Sequence, residues 1–352
     1  NRLKIMRKTS NQSPLISVVL PVYNGKDTIQ LCVDSMLAQD FKDFELVIVD
    51  DGSRDNSFEI LNKEYAKFFN VKIYSKANGG ESSARNYGVD RAEGKWITFI
   101  DQDDFVDSNY LSSFMQKEAL REDTFYVVGE KEGFSIDSLK PQYNIYASGE
   151  TNETMLQLLS NNGTTWGKLF LRERLIENNI RYNENVFYGG DKLFTMQYAA
   201  FINRVIYNEK AFPYNYVNNF NPSKFMKDFE KEMTNFLEIE INLKKSFSSR
   251  FKYQWLVVHL KLLVLSIYAR YHKSKERKEK LEIVKNHINE NNDFVKVLAS
   301  QNWKSKIIFN ALSNKSCFLI DRFLALFIPI IVWTFANKRI PFFIKRLLKS
   351  FA

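Results

Sequence analysis

At 352 residues, 45% apolar and 26% charged, the chain is long enough for one large domain or two ordinary ones, and its composition argues against wholesale disorder. Its two cysteines, Cys32 and Cys317, stand far apart without metal-ligand spacing, which argues against a disulfide framework or a zinc site and suits a reducing cytoplasm. The net charge of +9 is not a nucleic-acid signal: residues 301–352 carry nine Lys/Arg against one acid, Asp321, so nearly all of the excess belongs to an apolar C-terminal tail.

In chain order, the opening NRLKIMRKTSNQS is polar and lacks an apolar core segment, so residues 1–14 read as a leader and not as a secretory signal. Strands are predicted at 16–23 (ISVVLPVY), 44–50 (FELVIVD), 71–75 (VKIYS), 95–101 (KWITFID) and 125–130 (FYVVGE). Their nearly continuous apolar content is that of strands covered on both faces. Between the first two, Ile29, Cys32, Val33, Met36 and Leu37 fall at helical spacing and predict an amphipathic helix. Strand and helix in alternation define an α/β fold with a doubly wound, mostly parallel sheet, whose ligands bind beyond the carboxyl ends of the strands. Residues 130–222 are less regular, and from about 223 the chain reads as helices rich in Lys, Glu, Phe and Leu. A boundary is placed at Asn221-Pro222-Ser223, giving an α/β domain over 15–222 and a helical C-terminal region over 223–352. The three histidines, His259, His272 and His287, form no His-x-x-x-His pattern and read as surface or packing residues.

Three acidic or glycine-rich segments fall at the strand ends. VIVDDGS (47–53) closes a strand on Asp50 and Asp51; it reads equally well as a strand-to-helix turn with Ser53 as N-cap. NGGESSARNYG (78–88) leads into a helix carrying Arg85, which can fork onto phosphate oxygens or lie solvated on the surface. FIDQDD (99–104) crowds Asp101, Asp103 and Asp104 at the end of a buried strand. Like charges so placed raise the question of what neutralises them. Hard divalent cations, bound by one or two carboxylates together with substrate phosphates, are the expected answer, and without ligand the cluster is expected to be strained.

Taken together and in this order, PVYN, DDGS, NGGxSxARNxG and DxDD resemble family 2 of the inverting glycosyltransferases, which have the GT-A fold. The resemblance covers residues 15 to about 225. It implies that Pro21 and Tyr23 line a nucleotide pocket, that Asp51 with Asp50 behind it meets the base, and that Asn78 and Arg85 lie on the nucleotide side. It further implies that Asp101 faces the ribose, and that Asp103 binds Mn2+ or Mg2+ bridging the diphosphate of a nucleotide-sugar, most commonly a UDP-sugar. The missing positive charge is then the metal. Further along, TTWGKLFLRERLIENNIRYNENVFYGGDKLFTMQ (164–197) resembles the acceptor half of the family through Trp166, Lys168 and Leu169. The acidic pair that usually follows reads Gly190-Asp191 here, so the Glu is absent and Asp191 is left as the implied general base. Asp191 alone would otherwise read as a helix N-cap. In YNYVNNFNPSK (214–224), where relatives often carry a His or a charged residue before a Ser, this chain has Asn219, Asn221, Ser223 and Lys224.

The expected reaction is a metal-dependent inverting transfer to a hydroxyl of a cell-surface glycan such as teichoic acid, a lipid-linked intermediate or a glycoprotein. Two rivals are a non-catalytic nucleotide-sugar-binding scaffold and a nucleotidyltransferase. The first would lack a carboxylate of DxD or the base, and the second would show a Gly-rich signature where this chain has PVYNGKDT. In the tail, Phe323–Asn337 is uncharged for 15 residues and contains Pro329, short for a spanning helix. After it, Phe343, Ile344, Leu347, Leu348 and Phe351 form one helical face, with Lys345, Arg346 and Lys349 opposite. A basic amphipathic helix of this kind lies on anionic membranes, so contact with the inner face of the cell membrane is expected, with packing on the protein's own body or a dimer contact as the alternative.

Overall fold

A computed structural model describes residues 13–115, 120–133, 136–141, 149–150, 163–186, 189–208, 210–217, 229–246, 274–290 and a few positions between 260 and 271. The leader before residue 13, the segment holding Asn219, Asn221, Ser223 and Lys224, and the whole basic tail lie outside the described residues.

The chain divides into two compact units. One comprises residues up to Glu184 together with Gln197–Asn218, and the other comprises Asn185–Met196 together with everything from Asn219 on. The division after Asn218 falls close to the boundary expected at 221–223; the assignment of Asn185–Met196 to the C-terminal unit does not follow from composition.

The first unit is built on an eight-stranded sheet in the order β3-β2-β1-β4-β10-β6-β11-β9. Its members are β1 (Ile16–Val22), β2 (Phe44–Asp50), β3 (Val71–Ser75), β4 (Trp96–Phe99), β6 (Thr124–Val128), β9 (Gly149–Glu150), β10 (Lys168–Leu171) and β11 (Arg204–Asn208). The half from β3 to β4 is parallel throughout. Every residue of β1 and β2 is buried, including Ser17, which donates to Glu45 across the pair (2.5 Å), as in strands covered on both faces. Pro21, which has no N–H to give, falls beyond Val19↔Phe99, the last β1–β4 pair.

Helices α1 (Ile29–Leu37) and α2 (Ser57–Tyr65) follow β1 and β2, and α3 (Glu81–Arg91) runs from β3 to β4. α1 buries Ile29, Cys32, Val33 and Met36, the face read from their spacing. α3 approaches β1 through Gly88, where any Cβ would overlap the Val19 side chain.

Two features depart from the sequence reading. β10 inserts antiparallel between β4 and β6, with Phe170 opposite Ile97 and Leu169 opposite Tyr126, so the sheet is mixed beyond β4. A second, four-stranded sheet forms from β5 (Phe105–Val106), β12 (Tyr214–Val217), β7 (Glu130–Gly133) and β8 (Lys140–Pro141) in that order. The strand predicted at 125–130 thus ends at Val128, and after Gly129 the chain enters a different sheet. A short helix, α4 (Arg172–Glu177), follows β10.

In the second unit, α6 (Phe229–Ser246) and α7 (Ser274–Asn289) are held by His287 on Glu240 (2.6 Å) and Lys280 on Glu230 (2.9 Å), with Phe236, Ile239, Val284 and Ile288 buried. Helix α5 (Gly190–Ala199) begins in this unit.

Candidate active site

The loops that follow β1, β2, β3 and β4 are laced together by their own side chains at the carboxyl ends of the strands. After β1 the backbone turns through Asn24, a non-glycine residue at positive φ (51°), a conformation asparagine tolerates. Asn24 N–H donates to Ser53 Oγ (3.0 Å), and Asn24 Oδ1 accepts from Arg54 N–H (2.8 Å). The Gln102 amide brackets Tyr23, accepting its N–H (2.8 Å) and donating to its carbonyl (3.0 Å). Ser53 is therefore a clamp on the first loop and not the N-cap of α2, a position held by Asn56. Pro21 is buried and Tyr23 is 40% exposed.

Asp51 is 2% exposed, and its carboxylate is fully engaged. It accepts from Lys76 Nζ (2.7 Å), from Gly79 N–H (3.0 and 3.1 Å) and from Gly80 N–H (2.7 Å), while Asn78 Nδ2 donates to the Asp51 carbonyl (2.8 Å). In this state Asp51 holds the glycine loop in place. Gly52 sits at φ +69°, and a Cβ there would lie 2.9 Å from the Asn78 nitrogen, so the two loops meet only because this residue is glycine. Behind it Asp50 is also buried. One of its oxygens accepts from Ser53 N–H and Ser75 Oγ (3.3 Å each), and Oδ1 is buried without a partner. An orphaned carboxylate oxygen costs stability and is common at ligand sites.

The acidic turn Asp101–Asp104 is resolved residue by residue. Arg85, 3% exposed on α3, lays its guanidinium 2.6 Å from Asp101 Oδ1 and 2.5 Å from Glu81, over the ring of Tyr182 at 5.2 Å. Asp104 is 1% exposed and accepts from the Tyr214 hydroxyl at 2.7 Å. Asp103 is exposed. Asp101 and Asp104 are thus met by the protein itself, which corrects the expectation of a cluster strained until an ion arrives. Their field is still felt: burial first, then Asp104, Asp101 and Asp103, push the Cys32 thiol well above its ordinary range. The same combination of burial and Asp104 raises Tyr214, so its hydroxyl keeps its proton.

Among the described residues no group of three His, Cys, Asp or Glu side chains is gathered into a metal cage. The turn offers oxygen donors only, with Asp103 at the surface and Asp101 partly exposed. This donor set fits Mg2+ or Mn2+ carried in with a diphosphate that completes the coordination shell, and it does not fit an ion held by protein alone.

Trp166 and Lys168 are both buried, at 5% and 1%. Trp166 lies flat on Tyr214, with centroids 4.4 Å apart and planes 7° from parallel, and also against Tyr216 at 5.7 Å. Lys168 Nζ lies 6.0 Å from the Trp166 ring centroid and 3.4 Å from Thr164 Oγ1. Trp166 therefore adjoins the acidic turn through Tyr214. Asp191 stands inside the first turn of α5, one residue past its first position, and so is not the N-cap. The adjacent Lys192 has its pKa lowered by burial, an effect the charge of Asp191 opposes. Sequence reasoning missed Lys76, Gln102 and Tyr214, each of which fixes a loop of the site. The aromatic alternation of Tyr214 and Tyr216 on a short strand was the one available signal.

The loops gather at the carboxyl ends of a mixed α/β sheet, where such sheets bind their ligands, and comparison narrows the class of protein. Residues 17–181 match the family described as Glycosyl transferase family 2. That match spans a little under half of the chain, and over those residues the chain is assigned to the family. A hyaluronan synthase of Pasteurella multocida is 42% identical over 118 residues, 34% of this chain and 12% of that protein. A cholesterol galactosyltransferase of Borreliella burgdorferi is 30% identical over 228 residues, 60% of each chain. The matches thus span less than two thirds of these relatives. Among solved structures, S. aureus TarS 1–349 in complex with UDP-GlcNAc superposes with a TM-score of 0.62 at 21% identity, covering 92% of both chains. The mannosyltransferase PcManGT of Pyrobaculum calidifontis, in complex with GDP-Man and Mn2+, superposes at 0.52 with 14% identity, covering 94% of this chain and 88% of that one. Both share the fold, which is the GT-A architecture expected from the sequence.

Proposed function

We propose that this protein is an inverting glycosyltransferase that moves a sugar from a nucleotide-sugar to an acceptor hydroxyl. The observation that carries the reading is the juxtaposition of the PVYN, DDGS, NGG and DQDD segments at the ends of β1, β2, β3 and β4, tied by Asp51 to the glycine loop, by Arg85 to Asp101 and by Gln102 to Tyr23. Membership of the family and the nucleotide-sugars bound by the two solved structures support a donor of that class, and UDP is favoured by the TarS complex.

In this reading Pro21, Tyr23, Asp50, Asp51 and Asn78 form the nucleotide side, and Arg85 holds Asp101 toward the ribose. Asp103 offers a carboxylate to Mn2+ or Mg2+, and such an ion would neutralise charge developing on the leaving diphosphate. Trp166 and Lys168 belong to the sugar and acceptor side. Asp191 is assigned the general base on its sequence neighbourhood, taking the proton of the attacking hydroxyl; base and leaving group on opposite faces of the sugar give inversion. The acceptor is proposed to be a cell-surface glycan, lipid-linked or glycoprotein-borne, and the basic tail to rest on the inner face of the cell membrane. Among the described residues no helix is long and apolar enough to cross a membrane.

The test is nucleotide release from a panel of UDP- and GDP-sugars, with Mn2+ or with chelator, alongside calorimetric binding of each donor. Metal-dependent binding and turnover of one donor is the expected result. Donor binding with no turnover, even with acceptor present, would favour the non-catalytic scaffold, and no donor binding with any metal would overturn both readings.

A further inference from the structure

The geometry points to Tyr214 as the residue that positions the acidic turn, a role that rests on the donor-binding reading above. The turn Asp101–Asp104 is closed by its own backbone bond, Asp104 N–H to the Asp101 carbonyl at 3.1 Å. One atom from outside reaches both of its ends. The Tyr214 hydroxyl donates to Asp104 Oδ2 (2.7 Å) and accepts from the Asp101 N–H (3.2 Å). A hydroxyl has one proton and two lone pairs. With the Asp104 carboxylate needing a donor and the Asp101 amide needing an acceptor, the assignment of that proton is forced. All of this is out of water, with Tyr214 at 0% exposure and Asp104 at 1%.

The ring that carries the hydroxyl has little freedom. Its face is covered by Trp166 at 4.4 Å, its neighbour Tyr110 lies at 5.9 Å, and its backbone pairs with Val106, two residues beyond Asp104. Asp104 is buried on Tyr214 and so is not available as a ligand; its work is to anchor the turn. The turn so pinned presents Asp103, its third residue, to solvent. Tyr214 therefore fixes where the Asp103 carboxylate stands without touching donor or ion, and Trp166 of the WGK segment braces it from behind.

Tyr214→Phe keeps the stacked ring and removes only the hydroxyl. Leaving a buried carboxylate and a backbone N–H without this partner should loosen the turn and weaken Mn2+-dependent binding of UDP, or of GDP if that is the nucleotide bound, by about ten-fold to a hundred-fold. Metal-independent nucleotide binding should change far less. The measurement is calorimetric titration of nucleotide with and without Mn2+ on folded wild-type, Tyr214→Phe and Asp103→Ala proteins. A purely structural role would lower the melting temperature and leave the Mn2+ increment of the folded variant equal to wild type, which overturns the inference. If wild type binds nucleotide with no Mn2+ increment, the metal-dependent part of that reading falls, and this inference with it; if it binds no nucleotide at all, the donor-binding reading falls as well. Should Tyr214→Phe not fold, Asp104→Asn carries the test: it keeps an oxygen for the hydroxyl but no charge, and a reduced Mn2+ increment is expected. An unchanged increment there overturns the inference equally.

Discussion

Removing Arg85 tests how the acidic turn is kept stable without an ion. The Arg85 side chain is 4% exposed and the Asp101 side chain 22%. Attraction between unit charges over about 4 Å is about 4 kcal/mol at an effective dielectric of about 20, and about 1 kcal/mol in water. Breaking a fully buried pair from one side costs about 3–5 kcal/mol, because the other charge is left behind. Asp101 keeps some contact with water, so Arg85→Met should lose less, about 2–3 kcal/mol. The second partner, Glu81, is 62% exposed and adds little. At roughly 2–4 °C per kcal/mol for a domain of this size, the melting temperature should fall by about 4–12 °C. Asp101→Asn in the Arg85→Met background should recover part of the loss, giving a coupling of about 1–3 kcal/mol in a double-mutant cycle read by urea unfolding. A coupling below about 0.5 kcal/mol would refute the claim that this pair neutralises the turn.

Gly88→Ala should destabilise despite the helix propensity it adds: the new methyl meets Val19 in the middle of β1, and overpacking of about 1–3 kcal/mol exceeds the gain of about 1 kcal/mol, so the urea midpoint should drop. Stability should decline at alkaline pH, because burial raises the folded-state pKa of Tyr65, Tyr110, Tyr214 and Tyr216 above the ordinary value. The folded state then holds protons that the unfolded chain releases near pH 10, so this contribution is present below about 10 and is lost as pH rises beyond it; urea midpoints equal at pH 9 and 11 would contradict this. Asp191→Asn should slow sugar transfer by about 10²–10⁴-fold and leave donor affinity unchanged, measured by nucleotide release and by calorimetry.

What could be read in advance divides along a physical line. β1, β2 and β3 announced themselves because each is an apolar run bounded by turn residues, and α1 because Cys32, Val33 and Met36 keep the helical period. β10 did not, since KLFL is four residues long and carries a buried lysine that reads as surface. The second sheet was equally hidden: its strands run two to four residues, and its pairings join positions as distant as Val106 and Tyr214. The same limit shaped the site. Asp50, Asp51, Asp101 and Asp103 could be singled out as candidates because carboxylates crowd the ends of buried strands and the motifs carrying them follow one another in order. Their supporting groups were not, because Lys76, Gln102 and Tyr214 are ordinary residues until the fold sets them beside a charge.

The crowding of Asp101, Asp103 and Asp104 makes the distinction sharp. Sequence logic asks for one positive charge and supplies it as a metal. The structure divides the problem instead: Arg85 takes Asp101, a neutral hydroxyl takes Asp104, and Asp103 lies at the exposed surface. Each solution suits the burial of its carboxylate. A charge partner fits the half-sheltered Asp101, and a fixed hydrogen-bond donor fits Asp104, which is buried beside a stacked aromatic pair. The consequence is an acidic turn that is already formed before any ligand arrives, so an incoming ion need not organise it. In the proposed reading, binding energy from a metal and a diphosphate would then go into holding the donor, which is what preorganisation of a charged site achieves.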